Sequence, residues 1–341
     1  DRPLLTQPFR ALFSLLRHML LDPLQARDLL TRALRQRFAI LAVNADSPAA
    51  ITDVLEAARQ CQSPIIIETS LWQLTGHSFG AGDAFLGMTR YLVQIAALAR
   101  SDRYRDIPVL FHTDHIKGPI TLPLLKAALR GLPTGLGEQT ISPSTLSLDS
   151  STLDEGQNIA ALLELCEEAA QARRPVTLEM EAGVDDGVTP PEVAERLLCG
   201  VESRMPGHIT LWAPGVGTRH GLGEQTAFSA DAVRKHQALA SSLTGRPIGI
   251  ALHGSSGLPE DSLRAAVDAG VTKVNWSSES ILIRSRAAQE FYTSHAAQLE
   301  KEHPDWKAHA MDNGVQSFVS QRYIPRVIER IRVLGGVGKA A

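Results

Sequence analysis

The sequence predicts an α/β protein of the TIM (β/α)8 barrel class, and three observations predict it. Eight short runs rich in Val, Ile, Leu and Thr alternate with longer stretches whose apolar residues recur at helical spacing, the pattern of a parallel sheet wrapped by helices. The units occupy about 250 residues, as such a barrel requires. Polar residues gather at the C-terminal ends of the runs, where this fold collects its chemistry while apolar side chains fill the strand interiors. A doubly wound open sheet is the competing architecture, but no run is followed by the G-x-G-x-x-G of a dinucleotide turn.

In chain order, residues 1–37 read as one or two N-terminal helices. FRALFSLLRHMLLDPL is broken by Arg10, Arg17, His18 and Asp22, so it reads as an amphipathic helix packed on the domain and not as a signal peptide or membrane span. A membrane-surface helix is the alternative, although its polar face is not especially basic. The barrel core covers residues 38–280. Its strands are FAILAVNA (38–45), PIIIETS (64–70), PVLFHTDH (108–115), TLSLDS (145–150), PVTLEMEAG (175–183), HITLWAPG (208–215), PIGIALHG (247–254) and VTKVNWSS (271–278). Between them AAITDVLEAARQCQ, AFLGMTRYLVQIAALARSD, TLDEGQNIAALLELCEEAAQARR and LPEDSLRAAVDAG carry helical periodicity. Residues 281–341 read as a C-terminal helical extension divided by Pro304, of the kind that packs on a neighbouring subunit or covers the barrel bottom. No low-complexity linker interrupts the chain, which reads as one domain over 1–341.

With 44% hydrophobic residues and a net charge of −3, the chain has ample core and no basic stripe, which argues against nucleic acid and leaves small anionic metabolites open. Cys61, Cys166 and Cys199 are far apart and form no C-x-x-C, so they read as free thiols of a reducing, cytoplasmic compartment.

The polar residues fall in register with the runs. The first ends in Asn44, the second in Glu68, Thr69 and Ser70, the third in His112, Asp114 and His115, the fourth in Asp149 and the fifth in Glu179 and Glu181. The sixth leads into Arg219 and His220, the seventh ends at His253 and the eighth at Asn275, Ser277 and Ser278. His115, His220 and His253 can converge on one ion although they are far apart in sequence, which excludes a local zinc knuckle. Neutral imidazoles with an open coordination position suit a catalytic Zn²⁺. His112 and Asp114 share a strand face, and His112 reads as structural or as a support for the ligands. Gly221 and Gly223 follow His220, and Gly254, Ser255, Ser256 and Gly257 follow His253. Their backbone N–H groups, with Ser277 and Ser278, suit an anion such as phosphate, while simple tight turns are the plainer reading. Lys117 and Lys273 near strand ends keep a Schiff-base lyase open, although it leaves the histidines unexplained.

HTDH, LEMEAG, RHG, HGSSG and KVNWSS, with the terminal LGGVGKAA, occur in one order from about Phe38 onward. In this the chain resembles the class II, metal-dependent ketose-bisphosphate aldolases, typified by fructose-1,6-bisphosphate aldolase. The resemblance implies reversible retro-aldol cleavage of a ketose phosphate through a zinc-stabilised enediolate, in glycolysis or related carbohydrate metabolism. It implies Zn²⁺ on His115, His220 and His253, with Asp149 and Glu181 as carboxylates for a second or alternate cation, divalent or monovalent. It implies Asp114 as the acid/base at the hydroxyl next to the cleaved bond and Asn275 as the residue steadying the enediolate. Asn44 and Ser70 then contact substrate, and Arg326 reaches a neighbouring subunit's site in a homodimer or homotetramer. The implied partner is a small phosphorylated sugar, with neither nucleic acid nor membrane.

Departures from the family concern substrate. Where many members have G-x-Y-K-x-G after the second histidine, Glu224 replaces the lysine, so the positive charge for a phosphate must come from elsewhere, with Arg219 the candidate. Asn275-Trp276-Ser277-Ser278 stands where N-x-D-T is common, and the loop after the fifth strand is short. Asp185 and Asp186 are its only nearby acids, and Asp185 is the candidate proton donor to the enediolate carbon. A zinc lyase for an unphosphorylated or atypical sugar, and a non-catalytic accessory subunit, remain the other readings.

Overall fold

The computed structural model describes residues 20–135, 139–183, 187–223 and 227–341. Asp185, Asp186, Glu224 and residues 9–19 of the expected helix FRALFSLLRHMLLDPL (9–24) lie outside the described residues. At its described end Leu20 bridges to Val109 and Asp22 caps a helix that begins at Pro23, so no single helix runs through to residue 24. The strands are β1 (Ile40–Asn44), β2 (Ile65–Thr69), β3 (Val109–Thr113), a separate hairpin of β4 (Leu132–Pro133) and β5 (Thr140–Ile141), then β6 (Leu178–Glu181), β7 (Ile209–Ala213), β8 (Gly249–Leu252) and β9 (Val271–Trp276). Seven of them form one parallel sheet in the order β3-β2-β1-β9-β8-β7-β6.

The run expected as the fourth strand, residues 145–150, is not a regular strand. It makes two isolated bridges, His112 to Thr145 and Leu146 to Leu178. Side-chain hydroxyls replace much of its ladder: Ser144 Oγ accepts the Phe111 N–H at 3.0 Å, and Thr113 Oγ1 accepts the Ser147 N–H at 2.9 Å. Such side-chain bonds compete with regular pairing. The two bridges nevertheless join the edge strands β3 and β6, closing the sheet into an α/β barrel of TIM type.

The expected helical stretches form helices at Pro48–Cys61, Ala84–Ala99, Glu155–Gln171 and Glu260–Ala269. Ser47, Asp83 and Asp154 start three of them by accepting free N–H groups of the first turn. Along β1 to β3 alternate residues separate into two cores. Leu41, Val43, Ile65, Ile67, Val109 and Phe111 pack outward against the helical ring. Ile40, Ala42, Ile66 and Leu110 pack inward with Leu29, Leu30 and Ala33 of the helix Pro23–Gln36, which therefore plugs the N-terminal end of the barrel.

The C-terminal extension flanks the barrel, and its last residues reach that end: Arg32 Nη2 donates to the Lys339 carbonyl at 2.7 Å, and the Ala39 N–H to the Leu334 carbonyl at 2.9 Å. Its helix Asp312–Val333 lies against Pro48–Cys61 and Ser278–Ser294. Buried Arg284 pairs with Asp53, and Ser320 Oγ donates to Asp53 at 2.6 Å. Cys61, Cys166 and Cys199 are free thiols. No helix among the described residues is long and apolar enough to cross a membrane.

Candidate active site

The inward face of the wall changes character from bottom to top. Two residues above Ile66 and Leu110 stand Glu68 and His112, and two above those stand Ser70 and Asp114, because alternate residues of a strand share a face. β6 and β9 repeat the step with Glu179 then Glu181 and Lys273 then Asn275. Register aligns Asn44 with Glu68 and Glu68 with His112. The expectation of apolar strand interiors therefore fails at this level. Glu68, His112, Glu179 and Lys273 form a buried ionisable tier, none more than 1% exposed. His112 has the supporting place expected of it, with Nδ1 2.7 Å from Thr145 Oγ1 and Nε2 3.5 Å from Glu179 Oε2.

Above this tier the three histidines meet. One ring nitrogen from each of His115, His220 and His253 lies within 4.8 Å of the others, and His115, Asp149 and Glu181 form a second such group. Asp114 and His115 are consecutive, yet both reach the same cavity. His115 adopts φ 50°, a left-handed conformation uncommon for a non-glycine residue, which breaks the strand alternation. Its Nε2 is 3.0 Å from His220 Nε2, and its Nδ1 is 3.5 Å from Asp149 Oδ2. His253 Nε2 is 2.7 Å from Glu179 Oε1, whereas its buried Nδ1 has no hydrogen-bond partner. A carboxylate that accepts from one ring nitrogen leaves the other's lone pair for a metal. Gly254 permits this approach. It has φ 62°, and a Cβ there would lie 2.7 Å from the Arg219 carbonyl oxygen on the loop that carries His220.

Electrostatics separate the carboxylates. Burial alone would raise the Asp114 carboxyl, but His115, His253 and Lys273 hold it down at about 2. Its Oδ2 accepts from Asn44 Nδ2 at 3.0 Å and its Oδ1 from Asn275 Nδ2 at 3.2 Å. Glu181 is pushed up to about 8, by burial first and then by Asp114 and Glu179, despite the pull of His115. Burial would lower His115, but Asp114, Asp149 and Glu181 outweigh it and hold the imidazole at about 10. A field that retains a proton there also attracts a metal cation. The donor set, its acidic surroundings and the unpartnered Nδ1 of His253 fit a divalent ion.

A cavity of about 650 Å³ opens over these groups. Asn44, Ser70, Gly221, Gly254, Ser256, Ser277 and Ser278 line it. Arg219 is exposed and does not line it. Arg326 lines a separate hollow with Trp276 and pairs with Glu329 at 2.5 Å, so it has no place in this chain's own cavity. Trp72, 56% exposed, and Lys117, with Nζ 3.2 Å from Asp149 Oδ2, also line the cavity. Sequence reasoning missed Trp72, because a tryptophan in SLWQL has the pattern of a core residue. It also named Glu179 without a role, although the two-residue spacing in LEME places Glu179 and Glu181 on one face. Lys273 cannot serve as a Schiff-base nucleophile where it stands. It is sealed below the cavity, and although burial would lower its ammonium, Glu179 and Glu68 raise it above the ordinary lysine value.

A family model described as fructose-bisphosphate aldolase class-II matches residues 24–339. A fructose-bisphosphate aldolase of Streptococcus pneumoniae is 27% identical over 293 residues, covering 84% of this chain and 89% of its own. Among solved structures, a fructose-bisphosphate aldolase from Campylobacter jejuni matches with a TM-score of 0.79 at 20% identity, over 96% of this chain and 99% of its own. The YdjI aldolase from Escherichia coli K12 matches with a TM-score of 0.64 at 19% identity, over 92% and 98%.

Proposed function

Because the chain belongs to the class-II fructose-bisphosphate aldolase family and is thus an aldehyde-lyase, we propose that it cleaves a ketose phosphate, such as fructose 1,6-bisphosphate, between C3 and C4 with zinc on His115, His220 and His253. The observation that carries this reading is the convergence of three imidazoles on one point beside an ionised carboxylate. A divalent ion held there supplies Lewis-acid polarisation of the ketose carbonyl and stabilises the charge developing on its oxygen.

The chain's own groups supply the rest. Asp114, kept ionised and oriented by Asn44 and Asn275, takes the C4 hydroxyl proton as the C3–C4 bond breaks. Asn275 Nδ2 offers its other hydrogen to the developing oxyanion. Ser70 contacts the sugar, and Gly221, Gly254, Ser256, Ser277 and Ser278 receive a phosphate from the side of β7 to β9. Asp149 and Glu181 offer an alternate cation position. Asp185 is the proposed proton donor to carbon, Arg219 contributes positive charge near the phosphate, and Arg326 serves a neighbouring subunit's site in a cytoplasmic homodimer or homotetramer. Metal analysis combined with retro-aldol assays tests the proposal: activity lost to chelator and restored by Zn²⁺ is expected, and cleavage that survives complete metal removal refutes it.

Trp72 favours a second reading within the same chemistry, a lyase for an unphosphorylated or atypical sugar. Its exposed indole gives the cavity an apolar face beside polar groups, and rates on phosphorylated against plain ketoses decide between the two.

A further inference from the structure

A fully buried ammonium is expensive to desolvate, and methionine would fill a similar volume without that penalty. Lys273 nevertheless occupies the barrel interior at 0% exposure. Its Nζ lies 2.5 Å from Asn275 Oδ1, 3.1 Å from Glu179 Oε2 and 3.3 Å from Glu68 Oε2. An ammonium has three hydrogens and no acceptor; it donates one to Asn275 Oδ1 on β9 and stands in ion-pair contact with Glu179 on β6 and Glu68 on β2. All three acceptors touch residues of the site above: Asn275 lines it, Glu179 bonds His253, and Glu68 Oε1 accepts from Asn44 Nδ2 at 2.9 Å.

The geometry points to Lys273 as a positioning residue that fixes which atoms of His253 and Asn275 face the cavity. Asn275 Oδ1 is held on Nζ, so Nδ2 must face Asp114 Oδ1 at 3.2 Å. A flipped amide would set its NH2 against the ammonium and its oxygen against the Asp114 carboxylate, and both contacts would be repulsive. Asn275 can therefore present only donors to the reacting oxygens. Glu179 is held in the same way: with Oε2 toward Lys273, its Oε1 accepts from His253 Nε2 at 2.7 Å. That bond keeps the His253 proton on Nε2 and leaves Nδ1 open to a ligand. Without the ammonium, Glu179 Oε2 is free to turn toward His112 Nε2, now 3.5 Å away.

This inference rests on the metal-site reading above, and its test separates the two. Zn²⁺ affinity by chelator competition, the visible spectrum of the Co²⁺-loaded protein, retro-aldol kinetics and thermal stability are measured for the parent, Lys273→Met and Glu68→Gln. Loss of a group that orients a ligand typically weakens metal binding by about 10–100-fold, which is the expectation for Lys273→Met, together with an altered Co²⁺ spectrum and a fall in kcat larger than the change in KM. Glu68→Gln leaves both orienting contacts in place, so its Zn²⁺ affinity should stay within about threefold of the parent even where its stability falls. A purely structural lysine would lower stability in both variants and leave the metal affinity and Co²⁺ spectrum of the folded protein unchanged. Folded Lys273→Met with parental affinity and spectrum overturns the inference. Should that variant not fold, Lys273→Gln is held to the same criteria, and failure of both to fold makes Lys273 a residue of the fold and overturns it equally. A parent that binds neither Zn²⁺ nor Co²⁺ refutes the metal reading itself, and the inference falls with it.

Discussion

Replacing Asp114 by Asn removes the proposed base while changing the side-chain volume very little. The carboxylate is 1% exposed, and each oxygen accepts one amide hydrogen, Oδ1 from Asn275 and Oδ2 from Asn44. An asparagine carries one oxygen and one NH2, so its NH2 must confront one of those two donors. One buried hydrogen bond is lost, at a cost to stability of about 1–3 kcal/mol. The effect on turnover is larger: general-base catalysis contributes about 10²–10⁴-fold, or about 3–5 kcal/mol of barrier. The assay is retro-aldol cleavage with metal occupancy measured in the same samples. A parallel measurement follows exchange of the C3 hydrogen of the ketone fragment with solvent deuterium. That step does not involve the C4 hydroxyl, so Asp114→Asn should slow cleavage far more than exchange. Cleavage within threefold of the parent at full occupancy, or an equal loss in both assays, refutes the assignment.

Three further outcomes are expected. Zn²⁺ must displace the proton that Asp114, Asp149 and Glu181 hold on His115 to about pH 10 against the effect of burial. The affinity measured by chelator competition should therefore rise by about one log unit per pH unit between roughly pH 7 and 9, and a flat profile would contradict this. Glu56, bonded to Arg59, Gln60 and Arg103, is held at about 2 from the usual 4.5, with the Arg59 bond its largest cause. A depressed carboxylate contributes stability that is full above about pH 4.5 and lost as pH falls through about 2. Discounted for its exposed arginine partners, Glu56→Gln should cost about 1–2 kcal/mol at pH 7 and little at pH 2 in urea titrations. Trp72→Ala should leave stability within about 0.5 kcal/mol. It should raise KM roughly fivefold at constant kcat if the indole buries about 40 Å² against the sugar, and an unchanged KM removes Trp72 from the binding surface.

The sequence made the histidine trio and its cavity legible because His115 and His253 end their runs and His220 stands on the short loop after the sixth, so the barrel brings them together. The fourth strand was harder to read. TLSLDS has the composition of a strand, but its hydroxyl neighbours take the bonds that a ladder would use. Alternation in LEME and KVN assigns a strand face to Glu179 and Lys273, yet it gives neither register nor closure. The meeting of Glu68, Glu179 and Lys273 depends on both. Exposure of Trp72 is likewise a property of how β2 leaves the wall, which local pattern does not encode.

The buried tier also explains how a barrel can carry charge in its interior without making the whole core anionic. Burial pushes Glu68 up to about 8 despite Lys273, so its carboxyl is neutral near pH 7. Burial and then Lys273 push His112 down to about 3, so its imidazole is neutral as well. Burial would raise Glu179, but Lys273, His112 and His253 hold it below the usual carboxylate range. The tier is left with one cation, Lys273, facing one anion, Glu179, and its charges cancel. Negative charge above the tier is concentrated at Asp114 and Asp149, where His115 and Lys117 face it. That is the level at which three imidazoles converge, so the same arrangement that makes the interior tolerable to the fold directs a cation to the one place where it can act.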